Sequence, residues 1–452
     1  MVRRSIVWFR QDLRLADNEA LVEAIESSDE VIPVFVFDPR RFQGTTKFGF
    51  RKTGIYRARF ILESVIDLRR NLRKKGNELL VRVGKPEVEI AKLADQLKTS
   101  WVFCNRERTQ EEVDVQDRLE RNLWSIGQEV RFSRGKMLYY TQDLPFPVTQ
   151  TPDQFTSFRK EVENFTTIRK PLAVPAKIPA TSEVVEAGEV QTMASFGYKP
   201  EEPDQRSVIE FRGGEAAALQ RLEHYFWESK SISHYKETRN QMLGADFSSK
   251  LSPWLAQGCI SPKTVYAALK KYEKSHGANE STYWLFYELL WRDFFRLMGK
   301  KHGNRIFQKG GIQQRKRPEL IDDMELFEKW ASGTTGAPLV DANMHELNKT
   351  GFMSNRGRQI VSSFLINDLK INWQIGAEYF ESLLIDYDPC SNYGNWNYIA
   401  GVGSDPRKDR YFNIASQTKR YDPELEYINT WAPEYGGQSF ESIQLKHEEA
   451  QA

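Results

Sequence analysis

Between Gly351 and Trp396 the chain sets polar side chains among tryptophans, in what its apolar pattern predicts to be consecutive buried helices. Asn355, Arg358 and Gln359 stand three and four residues apart, which places two amides and a guanidinium on one helical face. Asp386 and Asp388 alternate in a segment expected to be extended, so both carboxylates point the same way. Trp373 and Trp396 lie nearby, and Asn392 precedes Trp396 by one helical turn. Such groups form a site for a ligand with ring donors and acceptors. An Arg–Asp pair also serves as a structural ion pair in a core, and this pattern alone leaves both open.

Two more constellations lie upstream. HYKETRN, from His234 to Asn240, is followed by DFSSKLSPWLAQGCISP, from Asp246 to Pro262. Ser248, Ser249, Lys250 and Ser252, with Leu251 between them, bring hydroxyls, a cation and consecutive backbone N–H groups just ahead of a helix, as a pyrophosphate requires. Serines in that position also cap helices. The helix expected over Tyr283–Met298, YWLFYELLWRDFFRLM, carries Glu288, Trp291, Arg292 and Phe295 along one face. Aromatic filling of a core explains most of it, but a glutamate in so apolar a helix is costly without a partner. Lys300–Arg317 then holds seven basic residues, Arg315 and Arg317 among them, and no acidic one. With Arg356 on the helix of Arg358, this run reads as a phosphate-contacting surface, although most charge runs are solvated faces.

The elements that position these groups fall into two parts. Ser5–Phe9, Val31–Phe37, Leu79–Val83, Trp101–Asn105 and Glu129–Phe132 are short apolar, β-branched or aromatic runs. They alternate with helical patterns over Asn18–Ile25, Gly54–Arg73, Glu87–Leu97 and Glu111–Ile126, which predicts a doubly wound, Rossmann-like parallel sheet over residues 1–135. No GxGxxG follows the first strand, so an ordinary dinucleotide site is not expected there. Residues 136–205 lose apolar periodicity, and 8 of the 19 prolines lie between Pro145 and Pro203, so they form a connector with one helix over Pro152–Asn164. From residue 206 to 452 the pattern is helical almost throughout.

Composition narrows the function classes. At 452 residues two domains are expected. The net charge of +2 gives no bulk affinity for nucleic acid, so any such affinity must come from local clusters. Cys104, Cys259 and Cys390 form no CxxC pair, which argues against a disulfide framework or a zinc site and for a reducing compartment. The charged N-terminus does not read as a signal peptide, and no apolar run approaches a membrane span. A monomer in the cytoplasm, or in an organelle interior, is expected.

The string ANMHELNKTGFMSNRGRQIVSSFL, from Ala342 to Leu365, resembles the flavin-binding core of the photolyase and cryptochrome family, in its DASH branch. IVWFRQDLRLADNEAL (Ile6–Leu21) and FRKTGIYRARFILESV (Phe50–Val65) resemble that family's antenna domain. The resemblance implies an α/β antenna domain, an all-α FAD domain, and light-driven repair of cyclobutane pyrimidine dimers with a preference for single-stranded DNA, RNA being a further strand to consider. A photoreceptor that binds nucleic acid or a protein without turnover is the alternative it implies. By resemblance, Tyr235, Arg239, Ser248, Ser249, Lys250, Leu251 and Ser252 hold the FAD phosphates, and Asn355, Arg358, Asp386, Asp388 and Asn392 surround its ring and adenine. Asn392 matches the residue beside flavin N5. Glu288 and Trp291 match the groups that bind and stack on the damaged pyrimidines, and Tyr398 stands where duplex-acting enzymes keep a tryptophan. Asn355 and Gln359 replace the two histidines of (6-4) enzymes. Trp373 and Trp396 match the inner tryptophans of the electron chain, while Leu320 occupies the outer position and Trp330 offers a substitute. In CNRERTQEE, Glu107 matches the carboxylate offered to a folate antenna, 5,10-methenyltetrahydrofolate. The tail after Trp431 is shorter than the resemblance implies, so a terminal helix is expected to be missing.

Overall fold

The computed structural model describes residues 2–199, 201–404 and 410–436, so most of the tail after Trp431 lies outside the described residues. Five strands, β1 (Arg4–Phe9), β2 (Glu30–Phe37), β3 (Leu80–Val83), β4 (Trp101–Asn105) and β5 (Glu129–Ser133), form one sheet in the order β3-β2-β1-β4-β5. Every pairing is parallel, with Ser5 opposite both Val31 and Trp101. All eight residues of β2 are buried, as expected for a strand covered on both faces, and this is why it reads as a continuous apolar run rather than an alternating one. The strand order reverses between β1 and β4, which leaves a crevice at their carboxyl ends.

The proline-rich segment contains the expected helix, at Phe155–Phe165, and is otherwise irregular. It is tied down where its backbone meets the sheet: Val31 N donates to Pro179 O at 2.8 Å and Val81 N to Ala187 O at 2.7 Å. Buried carboxylates bolt the parts together. Asp293, in the Glu280–His302 helix, accepts from Leu138 N and Tyr139 N at 3.1 and 2.9 Å, and Glu215 accepts from Leu15 N and Ala16 N at 2.9 Å.

The helical part has its own core, built around Leu320, Trp330, Trp373 and Trp396. Helices run over Pro338–Thr350, Asn355–Ser363, Trp373–Leu383 and Pro389–Ile399. Ser354, Asn372 and Asp388 cap the last three with their side chains. Gly376 is required by packing: a Cβ there would lie 2.4 Å from the Trp396 ring, so this helix can approach the tryptophan only without a side chain.

Candidate functional site

A cavity of about 400 Å³ lies between the Asn355–Ser363 helix, the loop before Ser252 and the Glu280–His302 helix, and it adjoins a chamber of about 70 Å³. Many of the residues singled out in the sequence line these two spaces, whereas Trp373, Glu107, Arg315, Arg317 and Arg356 do not. Tyr235, Arg239 and the run from Ser248 to Ser252 line the cavity together with Asn355, Arg358, Asp386 and Asp388, and Lys250 and Arg358 flank the same Phe352 ring. Asn392 and Trp396 belong to the chamber. Asp386 sits in a turn rather than an extended segment, and Asp388 is the extended cap residue of the next helix.

In the loop before Ser252, Lys250 has a left-handed backbone (φ 50) and its side chain lies between two rings, 3.6 Å from the centroid of Phe247 and 4.7 Å from that of Phe352. Burial pushes its ammonium group down and the Glu346 carboxylate pulls it back up. Arg221 braces the loop from outside, donating to Ser249 O at 2.9 Å and Ser248 O at 3.1 Å and pairing with Asp246 at 2.7 Å.

From the Asn355–Ser363 helix, Arg358 Nη2 meets Asp386 Oδ2 at 2.8 Å. Asp386 Oδ1 is buried without a hydrogen-bond partner. Asp388 Oδ1 accepts from Ser391 N at 2.9 Å, while Oδ2 takes Arg296 Nη1 at 3.0 Å. Arg296 and Arg292 hold the Asp388 carboxyl below its ordinary value against the opposing effect of burial. Asn392 Nδ2 donates to Ala377 O at 2.9 Å, which leaves the amide oxygen for another donor.

Glu288, Trp291 and Tyr398 line the same cavity. Glu288 Oε1 pairs with Arg239 Nη2 at 2.7 Å. Burial raises the Glu288 carboxyl and Arg239 lowers it, with a net rise. Phe155 from the connector lies flat on Trp291, ring centroids 3.7 Å apart and planes within 6°. Tyr398 meets Trp291 edge-on at 6.0 Å, and the Arg410 guanidinium covers the Tyr398 ring at 3.8 Å while donating to its hydroxyl.

The basic run is divided: Arg317 is buried and Lys301 and Arg315 are half-buried, while its other cations are exposed. Arg317 donates to Ala400 O and pairs with Glu319, and Arg315 donates to Gly401 O at 3.2 Å. Lys309 donates to Leu320 O at 2.9 Å. Arg356 reaches Asn240 at 3.0 Å and packs over Tyr421, while Lys300, Arg305, Lys309 and Lys316 are exposed. The relay positions are enclosed too. Trp373, Trp330, Trp396 and Leu320 are all buried, Trp330 is 6.4 Å from Trp396, and its indole N–H is bound to Val361 O. Trp330 is therefore a neighbour of Trp396 but not itself a surface exit.

Glu107 is nine-tenths or more buried and engaged on both oxygens, by Lys136 and by Arg296 at 3.2 Å, beside a space of only about 10 Å³. A larger cavity, about 660 Å³, lies at the carboxyl ends of β1 and β2, where Arg41, Lys47 and Lys52 face Asn304, Phe307 and Tyr393. The three cysteines are buried and unpaired. Among the described residues no cluster of His, Cys, Asp and Glu could hold a metal ion, and no helix is long and apolar enough to cross a membrane. The sequence reading missed Arg296, Lys136, Arg221, Phe155 and Arg410. Of these, Arg296 had a signal, since it stands four residues after Arg292 on the face of Glu288.

Residues 5–180 match the family model described as DNA photolyase, and residues 284–452 match the FAD binding domain of DNA photolyase. Among curated proteins, the chain is 48% identical over 429 residues to a cryptochrome DASH of Arabidopsis thaliana, described as chloroplastic/mitochondrial, covering 94% of this chain and 75% of the relative. It is 49% identical over 432 residues to a cryptochrome DASH of Gloeobacter violaceus, covering 96% and 86%. A solved cryptochrome from Synechocystis superposes with a TM-score of 0.94 at 47% identity, covering 98% of this chain and 91% of that one. A bacterial class III photolyase from Agrobacterium tumefaciens gives 0.84 at 28% identity, covering 99% and 90%. An archaeal photolyase from Sulfolobus tokodaii, solved with two FAD molecules, gives 0.80 at 28% identity, covering 98% and 94%.

Proposed function

The chain belongs to the photolyase and cryptochrome family, in its DASH branch, and from that footing we propose that it binds FAD and uses blue light to split cyclobutane pyrimidine dimers, preferentially in single-stranded DNA. One observation carries the reading: a single cavity is lined by Lys250 and its serines, by the Arg358–Asp386 pair, and by Glu288, Trp291 and Tyr398. A cofactor bound between the first two groups lies against the third.

The residues present fit FAD. Lys250 supplies a cation for a pyrophosphate, and the orphaned Asp386 Oδ1 calls for an N–H or O–H donor, which a flavin ring or sugar chain carries. When bound, reduced and excited by blue light, FAD supplies one electron to the dimer and recovers it after the cyclobutane bonds break, so no net redox change results. Asn392 presents an amide oxygen, the acceptor that an N–H of reduced flavin needs. Glu288, raised by burial, keeps a proton more readily than an exposed glutamate and can donate it to a pyrimidine carbonyl. Trp291 and Tyr398 offer aromatic surface to an extruded base. Lys300, Arg305, Lys309 and Lys316 are the exposed cations of the basic run left for strand phosphates, whereas Arg315, Arg317 and Arg356 act there through the rim they brace.

A light-harvesting chromophore, in our reading a folate such as 5,10-methenyltetrahydrofolate, has its room in the cavity at the strand ends, where Arg41, Lys47 and Lys52 suit an anionic tail. The Glu107 carboxylate is committed to its ion pairs.

Phe155 favours a second reading, a blue-light receptor that binds a strand or a protein without turnover, because it covers one face of Trp291. Illumination of the reduced holoprotein with a dimer-containing oligonucleotide separates the two. Restored thymine supports repair, and strand binding without thymine supports the receptor.

A further inference from the structure

We propose that Glu107 is a positioning residue of the flavin site, acting through Arg296 on Asp388; the inference rests on the reading that the cavity holds FAD. Four charges run in line from the connector to the cavity. Lys136 pairs with Glu107, Glu107 Oε2 meets Arg296 Nη2 at 3.2 Å, and Arg296 Nη1 meets Asp388 Oδ2 at 3.0 Å. Their side chains are 5, 3, 4 and 10% exposed, so water screens them little. The signs alternate and sum to zero.

The surroundings make Arg296 the adjustable link. Asp388 Oδ1 is fixed by Ser391 N, and the other oxygen, Oδ2, is held by Arg296. Arg292 faces Asp388 as a second cation, but its own donors go to Lys136 O and Leu255 O at 2.9 and 3.1 Å. Glu112, in the Gln110–Trp124 helix, and Arg10, just after β1, also act on Glu107 through their charges. Arg296 Nε has no partner, so the guanidinium is held by its two carboxylates only.

The consequence is electrostatic and has a sign. Removing the Glu107 charge leaves Lys136 and Arg296 in excess and makes the field at the cavity more positive, which favours an added electron there. Removing the Lys136 charge does the reverse. A residue that merely filled space would lower stability in either case and give no opposed signs.

The test compares the midpoint potential and FAD occupancy of holoprotein carrying Glu107→Gln, Lys136→Met, or both. We expect the potential to rise in Glu107→Gln, to fall in Lys136→Met, and to return toward wild type in the double variant. Shifts of one sign in both single variants, or none, would overturn the proposal while leaving the FAD reading intact. Where Glu107→Gln fails to fold, Lys136→Met and Glu107→Asp carry the test: a fall in the first with no rise in the second supports it, and an unchanged Lys136→Met overturns it. Wild-type protein that takes up no FAD would overturn the reading beneath it and the inference together.

Discussion

Phe155 and Trp291 are stacked face to face, ring centroids 3.7 Å apart, which joins the proline-rich connector to the helix that carries Glu288. Trp291 is thus held rigid on one side and offers its remaining surface to the cavity. Replacing Phe155 with alanine removes a buried ring and should cost about 3–5 kcal/mol of stability. It should also weaken binding of a dimer-containing strand by loosening Trp291. Thermal unfolding together with strand titration checks both effects, and an unchanged strand affinity would separate Phe155 from the site.

Arg358→Ala and Asp388→Ala should each reduce FAD retention on purification. The second leaves Arg296 with Glu107 as its only carboxylate near the flavin, a loss of about 3 kcal/mol for a broken buried pair. Arg358 is partly exposed, so its pair with Asp386 should be worth less. The flavin-to-protein absorbance ratio reports the outcome, and full occupancy in both variants would remove these residues from the site.

Leu320 is buried in the core that also holds Trp373 and Trp396, and an aliphatic side chain cannot relay an electron. Leu320→Trp should therefore accelerate photoreduction of oxidised flavin by an external reductant, at an overpacking cost of about 1–3 kcal/mol. Trp396→Phe should nearly abolish photoreduction in either background. Equal rates for wild type and Leu320→Trp would show that another route, through Trp330 and the ring beside it, Tyr379, already serves.

Glu107 is held down to about 2 by Lys136 and Arg296 despite its burial, against an ordinary value of 4.5. A carboxyl so lowered contributes stability that is complete above its unfolded value and is lost as pH falls through the folded one, on the order of 3 kcal/mol here. Stability should therefore decline between about pH 4.5 and 2, and Glu107→Gln should flatten that part of the curve. Asp293 works in the opposite direction: burial lifts it to about 6, so its contribution is lost as pH rises through that value. Urea unfolding across this range distinguishes the two slopes.

β1, β2 and β4 could be read from the sequence because a strand buried on both faces leaves a continuous apolar run, whereas the edge strand β5 shows instead an alternation of Glu129 and Arg131 with Val130 and Phe132. The cavity residues were legible where local spacing places them, as with Asn355 and Arg358 on one helix. What the sequence concealed were partners distant along the chain. Arg296 lies 189 residues from Glu107 and 92 from Asp388, and no local rule pairs them. Charge alone also does not say whether a cation meets solvent or a carbonyl. Arg317 sits in a basic run yet is turned onto Ala400 O, which the end of the Pro389–Ile399 helix brings to it.

The proposed preference for single strands rests on the cavity wall. Tyr398 presents a phenol already covered by Arg410, a smaller surface than an indole. Base–aromatic stacking is worth about 1–3 kcal/mol per base, and extruding a lesion from a duplex costs a few kcal/mol, so a reduced stacking contribution removes the margin for flipping. The direct measurement is repair by the reduced, illuminated holoprotein of one dimer placed in a single strand, in a matched duplex and in an unpaired bubble at equal salt, scored as restored thymine. Efficient repair in the single strand and the bubble with weak repair in the duplex is the predicted result. No restored thymine in any of the three, with FAD bound and reduced, would contradict the assignment of repair itself.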